Sequence, residues 1–542
     1  MLRKIPAARP LLAFLAFLTL ALSWSLGTPL LSAADEPEQA VRAMAVVRGE
    51  FSGAQQVWNF AHWQSTYTTP DYLETRYRLP HDLVRAVAAH DPACYAFNEA
   101  NTAACTVTSN THRIAQAGAT ALSHMNYSPL YYALVGWPSL LLRGDNALYA
   151  MRVVSALITA LLLAAAFTTS ARRGRAAAVG VVAAATPAAI YFGAVVNPSG
   201  LEIASALLAW ASLISMTRAE SAGGTRLSDR ILFTVAAATL LLVRPLGPVW
   251  LGIIVLAVFA ASPDPRARLR AAVRGRGARW MFAALAAALA ATLAWDATQN
   301  TLGILPRPNA TYTFAKGASM TLAQTPQFFA QMVGLIGWND VHVPTATTYL
   351  WYGTVVALLL AGLIVGGRRE RLVLLALAVI VVAFPIAFEG YSGASYGVGW
   401  QGRYSLPFAV GVPLLAAEVL GRRLWTAEPG GIPRALAKTV GAVLALGYLC
   451  EVWWAWRRYA EGLGSASHYL PTHAKWTPLI SWPGMIGLAV LGVAGVFALL
   501  ASSSTFRVAA AAEAAEQDGD APEPPAQAPA GSPGVESLVN KL

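Results

Sequence analysis

Long apolar runs, interrupted at short intervals by basic clusters, fill the chain from residue 11 to residue 502. About 20 apolar residues cross a bilayer as a helix at ~1.5 Å per residue, so the pattern predicts a polytopic membrane protein. The first run, Leu11 to Ser32, follows Arg3, Lys4 and Arg9. At 22 residues it outruns the ~7–15 of a signal-peptide core, and it reads as an uncleaved anchor rather than a leader cut near Ala33 and Ala34. Runs near 148–170, 176–196, 201–217, 231–243, 248–261, 280–296, 347–365, 372–388, 405–420, 438–456 and 478–502 bring the expectation to about twelve transmembrane helices. The pair 231–243 and 248–261 is short enough for a tilted or re-entrant hairpin around Arg244-Pro245. The apolar segment Pro129–Leu142 suits a helix lying at the interface, with Tyr131, Tyr132 and Trp137 at headgroup level.

Charge orients these helices. Segments 1–10, 171–176, 218–230, 262–279, 366–372 and 421–438 carry 3, 3, 3, 6, 3 and 4 basic residues, 22 in 72 positions. Short basic loops stay cytoplasmic, so both termini are expected inside and the long loops outside. Residues 1–10 are then a cytoplasmic N-terminus, 11–32 the first span and 33–147 a large extracytoplasmic loop with its interfacial helix. Residues 148–502 form a multi-span body with a second extracytoplasmic loop at 298–346, and 503–542 a disordered cytoplasmic tail.

Composition narrows the function class. The 542 residues are 56% hydrophobic and 12% charged, half the roughly 25% charged of soluble domains, and mean hydropathy is +0.49. A water-soluble enzyme is excluded. Net charge is +11, but the tail from Ala511 holds six acids and one lysine, so residues 1–510 carry +16. That excess sits between apolar runs, where it sets orientation and meets anionic headgroups. No helix-turn-helix, RNA-binding or zinc-finger pattern, Walker loop or HExxH accompanies it, and no nucleic-acid partner is expected. Five of 39 basic residues are lysine, a bias of GC-rich bacterial genomes that points to a bacterial inner membrane. Cys94 and Cys105 lie close together in the first outer loop, where disulfides persist, and are expected to pair.

Candidate chemistry lies in the outer segments. Asp35 and Glu36 place two carboxylates at the membrane surface, within reach of a lipid phosphate, unless they are merely solvated acids at a helix end. Asn197 and Glu202 start a later span, where Glu202 either caps its helix or joins the same pocket. Gly337-Trp338-Asn339-Asp340 and Gly399-Trp400-Gln401-Gly402-Arg403-Tyr404 set aromatic rings beside polar groups. Single rings such as Trp338, Trp400 and Tyr404 are ordinary interfacial anchors. As a set, Glu202, Asn197, Asp340, Trp338, Gln401, Tyr404 and Tyr131 are candidates for a substrate pocket. Arg403, the one basic residue of its loop, can offer a phosphate a bidentate fork; Arg307, Lys316 and Arg244 are further candidates. Asp35, Glu36, Glu202 and Asp340 also have the oxygen donors that Mg²⁺ or Mn²⁺ prefers, and their spacing leaves metal use open.

Taken in order, DEPEQAVRAMAVVRGEF, NYSPLYYALVGWP, VVNPSGLE, RPLGP, GWND and GWQGRYSLP resemble the bacterial membrane proteins grouped as domain-of-unknown-function family 2142. The likeness runs from about residue 10 to 500, and the resembled family is placed among the GT-C glycosyltransferase superfamily. Gln39 stands where the family pattern has histidine, and GWND replaces a GWLD-like segment. The resemblance implies an inverting enzyme that moves sugar from a polyprenyl-phosphate carrier to an envelope glycan, lipid or protein. It makes the first-loop acid, Asp35 with Glu36 beside it, the general base. Two other readings use the same features. A transporter or flippase of lipid-linked saccharides would depend on Arg152 and Glu451 within the spans, and a non-catalytic envelope-assembly protein would tolerate loss of the Asp35–Glu36 carboxylates.

Overall fold

The computed structural model describes residues 8–502, apart from 59–70, 124, 219–225, 275–276, 300, 302–303, 306–311, 397, 425–431 and 464–473. The tail at 503–542 lies outside the described residues. The protein is a polytopic α-helical membrane protein. Among the described residues eight helices are long and apolar enough to cross a membrane, or nine if one bent pair counts as a single span. Six of the eight are α7 (Gly144–Ala171), α10 (Pro198–Arg218), α14 (Ala278–Thr298), α16 (Thr345–Val365), α20 (Arg434–Glu461) and α21 (Ser481–Ser502). The others are α17 (Arg368–Tyr396) and the run through α18 (Gly402–Ala409) and α19 (Gly411–Arg423). Shorter apolar helices α1 (Ala8–Ser25) and α12 (Gly247–Ala260), with α11 (Leu227–Val243), occupy three further segments expected to cross. Helix α10 is wholly buried at the centre, packed on α7, α11 and α12, whereas α14 and α16 are largely exposed at the periphery.

Three segments depart from the pattern read along the chain. The first helix stops at Ser25 instead of continuing to Ser32, and Gly27–Ala34 runs into the bundle as buried irregular backbone. Carbonyls at a helix end lack intrahelical partners, and in an apolar setting each must be satisfied. Arg152 on α7 does this, donating to the carbonyls of Ser25 (3.2 Å), Thr28 (3.0 Å) and Pro29 (2.7 Å). The run 176–196 is likewise broken, into α8 (Arg175–Ala184) and α9 (Pro187–Ala194) bent by 64°. Pro187 lacks an N–H and drives Thr186 out of the helical region, and Thr186 caps α9 by accepting from the Ala189 N–H at 3.1 Å. The outer loop expected at 298–346 contains a helix, α15 (Phe314–Val333), packed on α17 and α18. On the opposite side the basic segment 262–279 holds a short helix, α13 (Pro265–Arg274).

The first loop folds into a cap with the only sheet among the described residues. Strand β2 (Asp71–Arg78) is central, antiparallel to β1 (Ala54–Trp58) on one edge and to β3 (Thr120–Ser123) and β4 (Ile304–Leu305) on the other. Its period-2 alternation buries Thr75 and Tyr77 and exposes Arg76 and Arg78. Because β4 comes from the 298–346 segment, the sheet ties both long loops together. The cap also holds α2 (Glu36–Val46), α3 (His81–Ala89), α4 (Thr106–Ser109), α5 (Thr111–Gln116) and α6 (Pro129–Gly136), with Cys94 and Cys105 joined as a disulfide. Tyr131 and Tyr132 are not exposed as interfacial anchors would be. Both are buried on α6, which approaches α2 so closely that a Cβ on Gly136 would strike the Ala43 carbonyl.

Candidate active site at the loop-side end of the bundle

Four carboxylates from three motifs meet four arginines. Asp35 pairs with Arg403, Glu36 with Arg152 (2.6 Å), Glu202 with Arg244 (3.4 Å) and Asp340 with Arg458 (2.7 Å). Their exposures separate the roles: the Asp35 side chain is 23% exposed, against 0%, 2% and 3% for Glu36, Glu202 and Asp340. An acid that exchanges a proton with a substrate needs an open face, and Asp35 has one.

Local structure explains why Asp35 points into the bundle. It precedes α2 with φ 63° and ψ 0°, a left-handed conformation that aspartate tolerates better than most non-glycine residues. An aspartate at this position usually accepts from a helix N–H, but here the side chain makes no such cap and faces Arg403. Arg403, in the first turn of α18, also donates to the Ala34 carbonyl (3.3 Å) and to the Tyr404 hydroxyl (3.1 Å), with Phe192 beneath its guanidinium at 5.3 Å. Close packing seats that turn: the Gly402 N–H donates to Gln331 at 2.6 Å, and a Cβ there would strike the Phe328 carbonyl.

Arg244, in the turn between α11 and α12, completes the site. It donates to Ser199 (3.0 Å) and Tyr127 (3.1 Å) and reaches Glu202, whose other oxygen accepts from the Trp250 indole at 3.0 Å. The Tyr404 ring lies 4.6 Å from the Arg244 guanidinium and 5.1 Å from that of Arg403. An aromatic ring shared by two cations offsets part of their repulsion, so both guanidiniums hold position beside Asp35. Burial pushes the Tyr127 hydroxyl above its ordinary value, against the pull of Arg244, so it stays neutral and accepts. Asn197 fixes the other flank, donating to the Ala34 carbonyl at 2.9 Å and accepting from the Ser199 N–H at 3.0 Å.

Several candidate residues fall elsewhere. Glu36 is locked inside the frame: one oxygen accepts from Arg152 and the Val196 N–H (3.0 Å), the other from Arg152 and the Ala33 N–H (3.3 Å). It has no open face for proton transfer. Glu202 does not cap α10 but serves Arg244 and Trp250. Asp340 accepts from the Trp338 N–H and pairs with Arg458, and burial raises its carboxyl above the ordinary range despite that arginine. Trp400 and Tyr404 are not belt residues, since Trp400 is buried among Trp250, Phe384 and Phe388. Gln401 precedes α18 and supplies a backbone carbonyl to the Tyr404 N–H. Tyr131 packs on Tyr132 at 5.5 Å, while Trp338 stands against Phe97. Lys316 is exposed on α15, over the ring of Tyr312, and Arg307 lies outside the described residues. The acids considered for Mg²⁺ or Mn²⁺ do not form one donor set. Each faces its own arginine, and among the described residues no three His, Cys, Asp or Glu side chains converge as metal ligands.

Gln39 is buried and accepts from the Tyr132 hydroxyl at 2.6 Å. It therefore braces α2 against α6. Arg458 carried no signal beyond being an ionisable residue at the end of an apolar run, and Phe192 none at all.

Helices of this number, with a cluster of paired charges at one end beneath a folded loop, define a multi-pass membrane protein with a polar site at the bundle's loop side. The chain belongs to the family described as "Predicted membrane protein (DUF2142)", whose model matches residues 17–412. No curated protein matches the sequence. Among solved structures, ArnT from Cupriavidus metallidurans in the apo state is similar at 16% identity and a TM-score of 0.35, over 73% of this chain and 70% of that one.

Proposed function

We propose that the protein is a GT-C-like glycosyltransferase that moves a sugar from a polyprenyl-phosphate donor to an envelope acceptor on the extracytoplasmic face. The observation that carries this reading is Asp35, the most exposed of the four paired carboxylates, set against Arg403 with Arg244 across the shared Tyr404 ring. In the step proposed, the acceptor hydroxyl gives its proton to Asp35 as its oxygen bonds the anomeric carbon from the face opposite the phosphate. The bond between that carbon and the phosphate oxygen breaks, and the phosphate keeps the electron pair. Its growing charge is held by Arg403 and Arg244, cations that favour the transition state over the ground state. Phosphate bound at Arg403 also competes for the guanidinium that pairs with Asp35 at rest, which makes the carboxylate more basic when it is needed.

The test is envelope glycan composition and linkage in a deletion strain complemented with wild type, Asp35→Asn or Arg403→Lys at matched membrane levels. Wild type is expected to restore a missing sugar. Asp35→Asn is expected to cut restoration by on the order of 100-fold or more, the contribution of a positioned base, and Arg403→Lys to cut it through loss of the planar fork. Full restoration by Asp35→Asn overturns the reading in favour of a transporter or assembly protein.

A further inference from the structure

Beside the charged cluster, one exposed and one half-buried aromatic ring meet where the cap touches the segment after α15. Phe97 is 65% exposed and stands in the left-handed region at φ 62°, a conformation bulky residues rarely adopt. Its partner Trp338, half-buried, precedes a second strained residue, Asn339 at φ 61°. The ring centroids are 5.9 Å apart with planes at 66°, an angled shelf rather than a stack.

The loop under Phe97 is held from several directions. The Cys94–Cys105 disulfide closes it, and Arg458 donates to the carbonyls of Tyr95 (2.8 Å), Asn98 (3.1 Å) and Asn101 (2.8 Å). The Leu463 N–H donates to the Glu99 carbonyl at 2.7 Å. The same Arg458 pairs with Asp340, whose carboxylate accepts from the Trp338 N–H, so one buried guanidinium sets both halves of the shelf. Strained backbone persists only where its surroundings over-determine it, and it concentrates at functional sites. Here those surroundings hold an exposed ring in a fixed pose.

The rim chemistry identifies the occupant. Glu99 and His342 face each other at 2.5 Å with side chains 41% and 57% exposed, and the Asn98 side chain lies in solvent beside them. A lipid surface would want a continuous apolar face, whereas flat rings bordered by carboxylate, imidazole and amide match a pyranose, with its apolar C–H face and ring of hydroxyls. The shelf also adjoins the charged cluster. The Gly337 carbonyl, next to Trp338, accepts from the N–H of Ala34, next to Asp35, at 3.0 Å. We infer that Phe97 and Trp338 form a subsite for a pyranose-containing glycan, the acceptor of the transfer reaction. The inference rests on the glycosyltransferase reading, which it narrows from glycan, lipid or protein acceptors to a glycan.

Full-length protein in lipid nanodiscs is titrated with oligosaccharides released from the envelope of the deletion strain, in which unmodified acceptor accumulates. Wild type is expected to bind them saturably. Phe97→Leu and Trp338→Leu, which keep an apolar side chain but remove the ring, are expected to weaken binding by roughly 10-fold, and Phe97→Tyr and Trp338→Phe to restore it. Absence of binding by wild type, or equal binding by both leucine variants, overturns the subsite. The two readings fail separately. If Asp35→Asn restores the envelope glycan while binding still depends on the rings, transfer is wrong and glycan binding stands; if Asp35→Asn abolishes transfer while the leucine variants bind normally, only the subsite falls.

Discussion

Adjacent residues Asp35 and Glu36 do different work, and their environments predict opposite phenotypes. Glu36 and Arg152 are both fully buried and together satisfy three carbonyls at the end of α1 and just beyond it, the Ala33 N–H of the same irregular segment and the Val196 N–H after α9. Removing one partner of a buried pair strands the other, at about 3–5 kcal/mol. Glu36→Gln is therefore expected to lower the thermal midpoint in detergent clearly, and the Glu36→Gln/Arg152→Met pair to cost less than the two single changes combined. Asp35→Asn, at a partly exposed site, is expected to leave the midpoint nearly unchanged while activity is lost. A stable, inactive Glu36→Gln protein would reverse the assignment. A carboxylate pair in the sequence raised both residues equally, because burial and partner choice belong to contacts 116 and 368 residues away.

At the scale of elements, breaks in the helices matter more than their continuity. The bend at Thr186-Pro187 lets α9 deliver Val196 to Glu36 and Asn197 to Ala34. Thr186 holds the bend twice, capping α9 and donating to the Met332 carbonyl at the end of α15 at 2.7 Å. Thr186→Val keeps the shape and removes both bonds, so it is expected to cost about 1–2 kcal/mol, read as a lower midpoint; an unchanged midpoint would leave the cap without energetic weight. Pro187 was visible along the chain, but hydropathy averaged over a window does not register a two-residue break. Helix α15 escaped for the complementary reason: its polar positions lowered the apolar signal, although its other face packs on α17 and α18.

For the whole molecule, the distribution of basic segments predicts which side faces the cytoplasm. Val107 in the cap is 75% exposed, and α13, in the basic segment, exposes Arg270. In intact cells a membrane-impermeant maleimide is expected to label Val107→Cys and to reach Arg270→Cys only after permeabilisation. The reverse pattern would invert the topology and move the proposed site to the cytoplasm.

The apolar runs that form the long helices could be read directly, because a bilayer selects on a local quantity, the length of an apolar run. The motifs that converge on the site were also legible, as Asp35, Asn197, Glu202, Arg244, Arg403 and Tyr404 each stand at the end of an apolar run. Which acid keeps an open face, which arginine serves the backbone and which stands beside Asp35 were not. Those outcomes depend on desolvation and on partners distant along the chain, and both come into being when the helices pack.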